Sequence, residues 1–156
     1  MIRFIANFVA VLTFVGLVTG VAYAVHEQRR EELAIAATRD GLRTIMQHIA
    51  LRAALEAEVE LTPRGYPSTI DPAWFADGLP ANELVGAGHP WMEVAREREY
   101  AREHPRERTA AFDAAAFWYN PANGIVRARV PIGGSDADAL ALYNRLNDTN
   151  LKNLFE

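Results

Sequence analysis

The stretch FIANFVAVLTFVGLVTGVAYAV, residues Phe4–Val25, determines how the chain is organised. Its 22 residues carry no formal charge, and the first acid after them is Glu27. As an α-helix the stretch would be about 33 Å long at ~1.5 Å per residue, which matches a hydrocarbon core of ~30 Å. A small soluble domain rarely buries a helix that is apolar on every face. We therefore predict a transmembrane anchor over residues 1–25, with Phe4, Phe8, Phe14, Gly16 and Gly20 as its membrane-facing or helix-contacting residues.

Two fates of this segment remain open. Ala22-Tyr23-Ala24 has the small-x-small pattern of a secretory cleavage site, and cleavage there would release a soluble periplasmic protein beginning at Val25. The apolar run is longer than the ~7–15 residues of a signal-peptide core, and a helical pattern continues beyond it. We expect a retained, single-pass anchor in the inner membrane. Arg3 favours a cytoplasmic amino terminus and an exported remainder, although Arg29 and Arg30 favour the reverse.

Composition narrows the classes of protein to which the chain can belong. The chain has 156 residues, so one domain is expected after the anchor. The net charge is −4 and basic residues are spread along the chain, which argues against a nucleic-acid partner. The chain has no cysteine, and this excludes disulfides, thiolate metal sites and cysteine nucleophiles.

Residues 26–61 are predicted to form an amphipathic helix that continues the anchor. Apolar residues recur at spacings of three, four and seven or close multiples, which places them on one stripe: Ile35, Leu42, Ile45, Met46, Ile49, Ala53 and Val59. We expect a folded domain of the same chain to cover this stripe. A parallel partner helix is the alternative, although the spacing is too irregular for a regular heptad seam.

The helix should end near Pro63, because proline lacks the N–H and restricts the preceding residue. Prolines at 63, 67, 72 and 80 punctuate an irregular stretch at the start of a small head domain, residues 62–156. Its Trp74-Phe75 pair is predicted to pack onto the helix, with a ligand platform as the alternative. The following segment, Glu93–Arg108, contains five Glu and five Arg and is predicted to be a solvated, partly helical excursion.

Two strands are predicted on either side of a turn at Asn120–Gly124. Ala110–Tyr119 is apolar and aromatic, and Asn-Gly readily supplies the positive φ of a reversal. In Ile125–Val130 apolar residues alternate with Arg127 and Arg129, which predicts one buried face and one face in water. A short helix should follow, capped by Ser135 or Asp136. The residues expected to pack the head domain are Trp74, Trp91, Trp118, Tyr119 and Gly124.

The sequence offers no credible catalytic constellation. None of the four histidines falls in an HExxH pair, and no serine lies in a G-x-S-x-G elbow. Asp136 and Asp138 could supply oxygen ligands to calcium, but helix capping explains them equally well. Asn147-Asp148-Thr149 matches a glycosylation sequon, which is a weak signal. We therefore predict a non-enzymatic protein without a metal or cofactor.

The order of these elements resembles the type IV pilin and type II secretion pseudopilin family. GYPSTID at 65–71 is similar to the Gly-Tyr-Pro turn of major pseudopilins, and HPW at 89–91 is similar to their Asp-Pro-Trp element. FWYNPANGIVRARV at 117–130 resembles the aromatic hairpin of many pilin-like proteins. The amino terminus departs from the family. The first glycine is Gly16 and no acid precedes Glu27, so the family's glycine cleavage site and its fifth-position Glu are missing.

The resemblance implies an α+β fold in which a long amino-terminal helix packs on a small antiparallel sheet. It also implies a membrane-anchored subunit of a filament, type IV pilus or secretion-type envelope assembly. Its partners would be membrane lipid and other pilin-like subunits or pilus components, giving an oligomer or filament. A single-pass envelope scaffold, or a binding module released after Ala24, is the alternative.

Overall fold

A computed structural model of the chain describes residues 2–55 and 59–155, with side chains described from residue 13 onward. The chain divides into two compact units, a first unit, Met1–Leu33, and a second unit, Ala34–Glu156. The long helix α1 extends over Ile2–Leu55. It ends earlier than the predicted residue 61, because Leu61 instead forms an isolated antiparallel bridge with Pro67 across the GYP turn.

The fold is α+β, as predicted: a long amino-terminal helix with a small three-stranded sheet. The described strands are β1 (Met92–Val94), β2 (Phe117–Asn120) and β3 (Ile125–Ala128), in the order β1-β2-β3. Helix α2 (Asp136–Asn147) follows, and two short 3₁₀ turns lie at Pro72–Trp74 and Glu97–Glu99.

The sheet is mixed, so the prediction of an antiparallel sheet is wrong for one of its two pairings. The pairing of β2 with β3 is antiparallel, as the turn at Asn120–Gly124 requires. The strand β1 lies parallel to β2, because the chain crosses back over the sheet between them. This strand begins the charged segment that the sequence predicted to be a solvated excursion.

The stripe of α1 supplies the core of the second unit. Four of its predicted members are buried, and they share one apolar cluster with Phe117 and Tyr119 of β2: Ile35, Leu42, Ile45 and Ile49. Met46 differs from the prediction, since it remains 45% exposed. Because the cluster draws on the same chain, the predicted cover of the stripe by the head domain is confirmed for these positions.

Alternation along the strands divides the sheet into two faces. Phe117, Tyr119, Val126 and Ala128 face the apolar cluster. The opposite face places Glu93, Trp118 and Arg127 in register across the three strands. We predicted a wet face for Ile125–Val130, and burial does alternate along β3, with Val126 and Ala128 buried and Ile125 and Arg127 partly exposed. The prediction is wrong for Arg129, just after β3, which is 3% exposed.

Helix α2 begins as predicted. The Ser135 hydroxyl oxygen accepts the N–H of Asp138, which is an N-cap bond. Tyr143 and Leu146 are buried in the apolar cluster, and Leu140 packs against it. The helix ends at Asn147, and Asp148 takes a left-handed conformation with φ 53°.

Candidate functional site

The most unusual surface in the described part of the chain belongs to the first unit. Every residue from Thr13 to Leu33 is exposed. Within Phe14–Val25 this surface is apolar on all sides and consists of large side chains that are 44–72% exposed: Phe14, Val15, Leu17, Val18, Val21, Tyr23 and Val25. Each Å² of apolar surface costs about 25 cal/mol in water, and soluble monomers rarely expose large contiguous apolar patches. We call this surface the apolar helix surface.

Three of the five predicted membrane residues lie on the apolar helix surface. Phe14 is 70% exposed, and a Cβ built at Gly16 or Gly20 would meet no described heavy atom within 4 Å. Phe4 and Phe8 lie outside the described side chains. The polar side chain of Thr19 is satisfied within the helix, because its hydroxyl donates to the carbonyl of Val15 at 2.8 Å. Across the described residues, no helix reaches the combination of length and hydropathy that a membrane span requires.

The predicted turn at Asn120–Gly124 is a packing centre of the second unit. Gly124 has φ 71°, as predicted, and a Cβ there would lie 2.3 Å from Cε1 of Tyr66. The Tyr119 hydroxyl donates to the Pro67 carbonyl at 2.8 Å, and Thr62 donates to the Pro121 carbonyl at 3.0 Å. The hairpin and the GYP turn therefore hold each other in place.

The three tryptophans occupy three different environments. Trp118 is buried on the second face of the sheet. Trp91 is partly buried, with its ring edge-on to Phe75 at 5.3 Å, and its Nε1 donates to the Pro80 carbonyl. Trp74 is also partly buried, and Arg52 of α1 lies over its ring at 5.6 Å. All three act in packing, and Trp74 and Trp91 keep partial exposure.

Arg129 has a role that the sequence did not predict. Its guanidinium forms an ion pair with Glu93 of β1, and it donates to the carbonyls of Ala115 and Glu107, both at 2.8 Å. Burial of a charge is tolerated when the charge is paired and hydrogen-bonded in this way. The alternating pattern of β3 predicted that Arg129 would meet water. Its partners lie outside this strand, at Glu93, Glu107 and Ala115, so the pattern alone could not predict its burial.

Buried asparagines were also missed. Asn82 donates to the carbonyls of Ala116 and Arg129. Asn120 donates to the Tyr100 and Arg102 carbonyls, and its own side-chain oxygen accepts from Ala122 N–H. Each amide supplies side-chain hydrogen bonds to backbone carbonyls of the irregular segments, in keeping with the rule that buried polar groups are hydrogen-bonded. Asparagine is common in exposed turns, so its residue type alone gave no signal.

The remaining polar candidates serve structural roles. Asn147, the sequon residue, is 7% exposed and donates to the carbonyls of Ala128 and Tyr143. Asp138 accepts from the Ser135 hydroxyl within the helix cap. The His48 ring packs against Phe75 at 4.6 Å. Over residues 2–55 and 59–155, no three His, Asp or Glu side chains are grouped to hold a metal ion.

One histidine is strongly perturbed. His104 has its pKa lowered to about 4, first by burial and then by the positive charges of Arg127 and Arg108. Its Nδ1 lies 3.1 Å from the Tyr143 hydroxyl, and burial raises the pKa of that hydroxyl above its usual range. Both groups are therefore neutral at pH 7, in an arrangement that stabilises the packing of α2.

Comparisons with known proteins identify no relative. No family model, curated protein or solved structure matches the chain.

Proposed function

We propose that the protein is a membrane-anchored, pilin-like or pseudopilin-like subunit of a filament or secretion-type envelope assembly, with no catalytic role. The observation that carries the proposal is the apolar helix surface, which is exposed on every side in the isolated chain. Lipid or other helices are the environments in which such a surface is stable.

Two further observations support the proposal. The helix α1 extends from the apolar run into the core of a small α+β unit, which is the element order of pilin-like proteins. The GYP turn packs directly on the hairpin glycine, so two of the motifs that resemble the family form one structural unit. Several polar side chains of the second unit, among them Asn82, Asn120 and Arg129, cross-link its loops.

The membrane part of the proposal is tested by Val15→Arg. Val15 lies within the apolar helix surface, and an arginine near the bilayer centre costs about 2.5–3.5 kcal/mol on insertion scales. We expect wild-type protein to resist alkaline extraction from membranes and the variant to be released. Phe112→Arg is the matched control, because Phe112 is a fully exposed apolar residue of the second unit and its replacement should leave extraction unchanged.

Identification of the mature amino terminus and of the binding partners distinguishes an assembly subunit from a released binding module and from an envelope scaffold. An intact amino terminus in the membrane fraction, with co-purified copies or pilus and secretion components, is the expected result. A soluble protein beginning at Val25 would contradict the proposal and favour a released binding module. An anchored protein that stays monomeric under membrane crosslinking would instead favour an envelope scaffold.

A further inference from the structure

The outer edge of strand β3 has one open position. In the antiparallel pairing with β2, successive residues direct their N–H and C=O alternately towards β2 and away from it. Ala128 belongs to the outward set, since both of its backbone groups bond to the Asn147 side chain. Val126, two residues earlier in β3, therefore also directs its N–H and C=O outward. In the described part of the chain, no side chain bonds to Val126 as Asn147 bonds to Ala128.

A recess lies at this position, between the edge of β3, helix α1 and the end of helix α2. Its volume of about 340 Å³ falls within the range of ligand pockets, about 300–1,000 Å³. Its apolar lining comes from Leu42 and Met46 of α1, Val126 of β3 and Leu146 of α2. Met46 belongs to the stripe of α1 but is 45% exposed here. An apolar side chain that entered this recess, which we call the edge recess, would cover the stripe further.

The charged lining of the edge recess is mainly cationic. Arg39, Arg43 and Arg127 line it with three positive charges, and Asp148 contributes one negative charge. Arg43 is paired with Asp40 at the surface, whereas Arg39 and Arg127 donate to backbone carbonyls. Burial lowers the pKa of Arg127, so water solvates its charge incompletely. The net positive charge favours an anion in the recess.

The edge recess is closed at one end. Asn147 fills the edge at Ala128, so a chain that paired with Val126 could not continue past this point. Arg39 lies at the same end, because its guanidinium donates to the Arg145 carbonyl in the last turn of α2. A chain that ends here would place its terminal group beside an arginine. The charge therefore favours a carboxyl terminus over an amino terminus, in a chain that runs parallel to β3.

We propose that the edge recess binds the free carboxyl terminus of an extended partner chain whose last residue is apolar. The backbone of that residue would pair with Val126, its side chain would meet Leu42 and Met46, and its carboxylate would face Arg39. Hydrogen bonds between arginine and a carboxylate are about twice as strong as neutral ones. Strand addition at a sheet edge and capture of a chain terminus are both established modes of peptide recognition. The proposal concerns the second unit alone and does not depend on the membrane anchor.

The test uses the full-length protein in lipid nanodiscs and short fluorescent peptides, with binding read as anisotropy. The peptides are extended, labelled at the amino terminus, and end in leucine, valine, phenylalanine or alanine. Each is made with a free carboxylate and with a terminal carboxamide, which keeps the side chain and removes the charge. A further amidated peptide carries an internal glutamate. We expect free-carboxylate peptides to bind, and their amides to bind about tenfold more weakly.

Two substitutions in the edge recess should weaken the binding of the free-carboxylate peptide about tenfold. Arg39→Gln removes the cation at the closed end, and Met46→Glu places a like charge at an exposed position of the lining. The matched controls are Arg98→Gln, an exposed arginine that lines a different cavity, and Leu51→Glu, an exposed apolar residue of α1 outside the recess. Tryptophan fluorescence in urea verifies that each variant is folded. Met46→Glu keeps the test valid if Arg39→Gln proves unstable.

Equal binding of the free-carboxylate and amidated peptides would overturn the proposal. It would also fail if no free-carboxylate peptide bound, or if Met46→Glu and Leu51→Glu bound the peptide equally well. Tighter binding of the amidated peptide with the internal glutamate would assign the recess to an acidic side chain instead. Membrane extraction of the same protein reports the anchor separately, so failure of the proposed function and failure of this proposal are distinguishable.

Discussion

The two units differ in where their side chains find contact partners. In the first unit, the described side chains from Thr13 to Leu33 are exposed, and polar contacts such as that of Thr19 with Val15 stay within the helix. In the second unit, side chains far apart in sequence complete one another, as Arg129 does with Glu93. The second unit is therefore stabilised by contacts between residues far apart in sequence, whereas the contacts named in the first unit are local.

This comparison predicts that similar substitutions will have very different effects in the two units. The three tryptophans all lie in the second unit, at positions 74, 91 and 118, so their fluorescence reports the unfolding of that unit alone. A change in the second unit can therefore be paired with the same kind of change in the first unit as its control.

The largest effect is expected for Gly124→Val. The new side chain would clash with the Tyr66 ring and would force valine into φ 71°. Strain and overpacking together should cost about 3–5 kcal/mol of unfolding free energy. Urea unfolding measures this cost. Gly20→Val in the first unit meets no described atom and should leave the midpoint unchanged, while Gly65→Val, which has φ 82° but open space, separates strain from the clash. Equal midpoints for Gly124→Val and Gly20→Val would show that the hairpin contact does not stabilise the unit.

A smaller effect is expected for Arg129→Met. The change leaves the Ala115 and Glu107 carbonyls and the Glu93 carboxylate without the Arg129 donor, at a cost of about 2–4 kcal/mol. The half-exposed position of Glu93 keeps the cost below that of a fully buried pair. Arg30→Met breaks a surface pair with Glu27 in the first unit, where both side chains are more than half exposed. That control should change stability by about 0–1 kcal/mol. Similar unfolding curves for the two variants would refute the importance of the buried pair.

The smallest effect is a pH dependence at His104. Its folded pKa of about 4 lies below the usual value of 6.5, so the folded state binds fewer protons than the unfolded state in this interval. The contribution of His104 is present above pH ~6.5 and is lost as the pH falls towards 4. We expect His104→Gln to flatten the fall in melting temperature over this range. His26→Gln, in the exposed first unit, should leave the slope as in the wild type. Parallel slopes for all three proteins would contradict the assignment.

The sequence predicted those features that depend on local pattern. The stripe of α1, the hairpin with its positive-φ glycine and the cap of α2 each follow from spacing or from a short motif. The parallel strand β1 and the buried Arg129 did not follow, because both depend on the path of the segment between β1 and β2. Nothing within Glu93–Arg108 distinguishes a charged segment in water from one that covers a sheet.

Asn147 has a consequence for the outer edge of strand β3. Its side-chain oxygen accepts the Ala128 N–H at 2.8 Å and its amide donates to the Ala128 carbonyl, so it occupies the position of a neighbouring strand. Just beyond, the Val130 N–H donates to the Arg108 carbonyl, and the Val130 carbonyl accepts from Ala110. Free strand edges recruit the edges of other chains. At these two positions β3 and its continuation are closed to such recruitment.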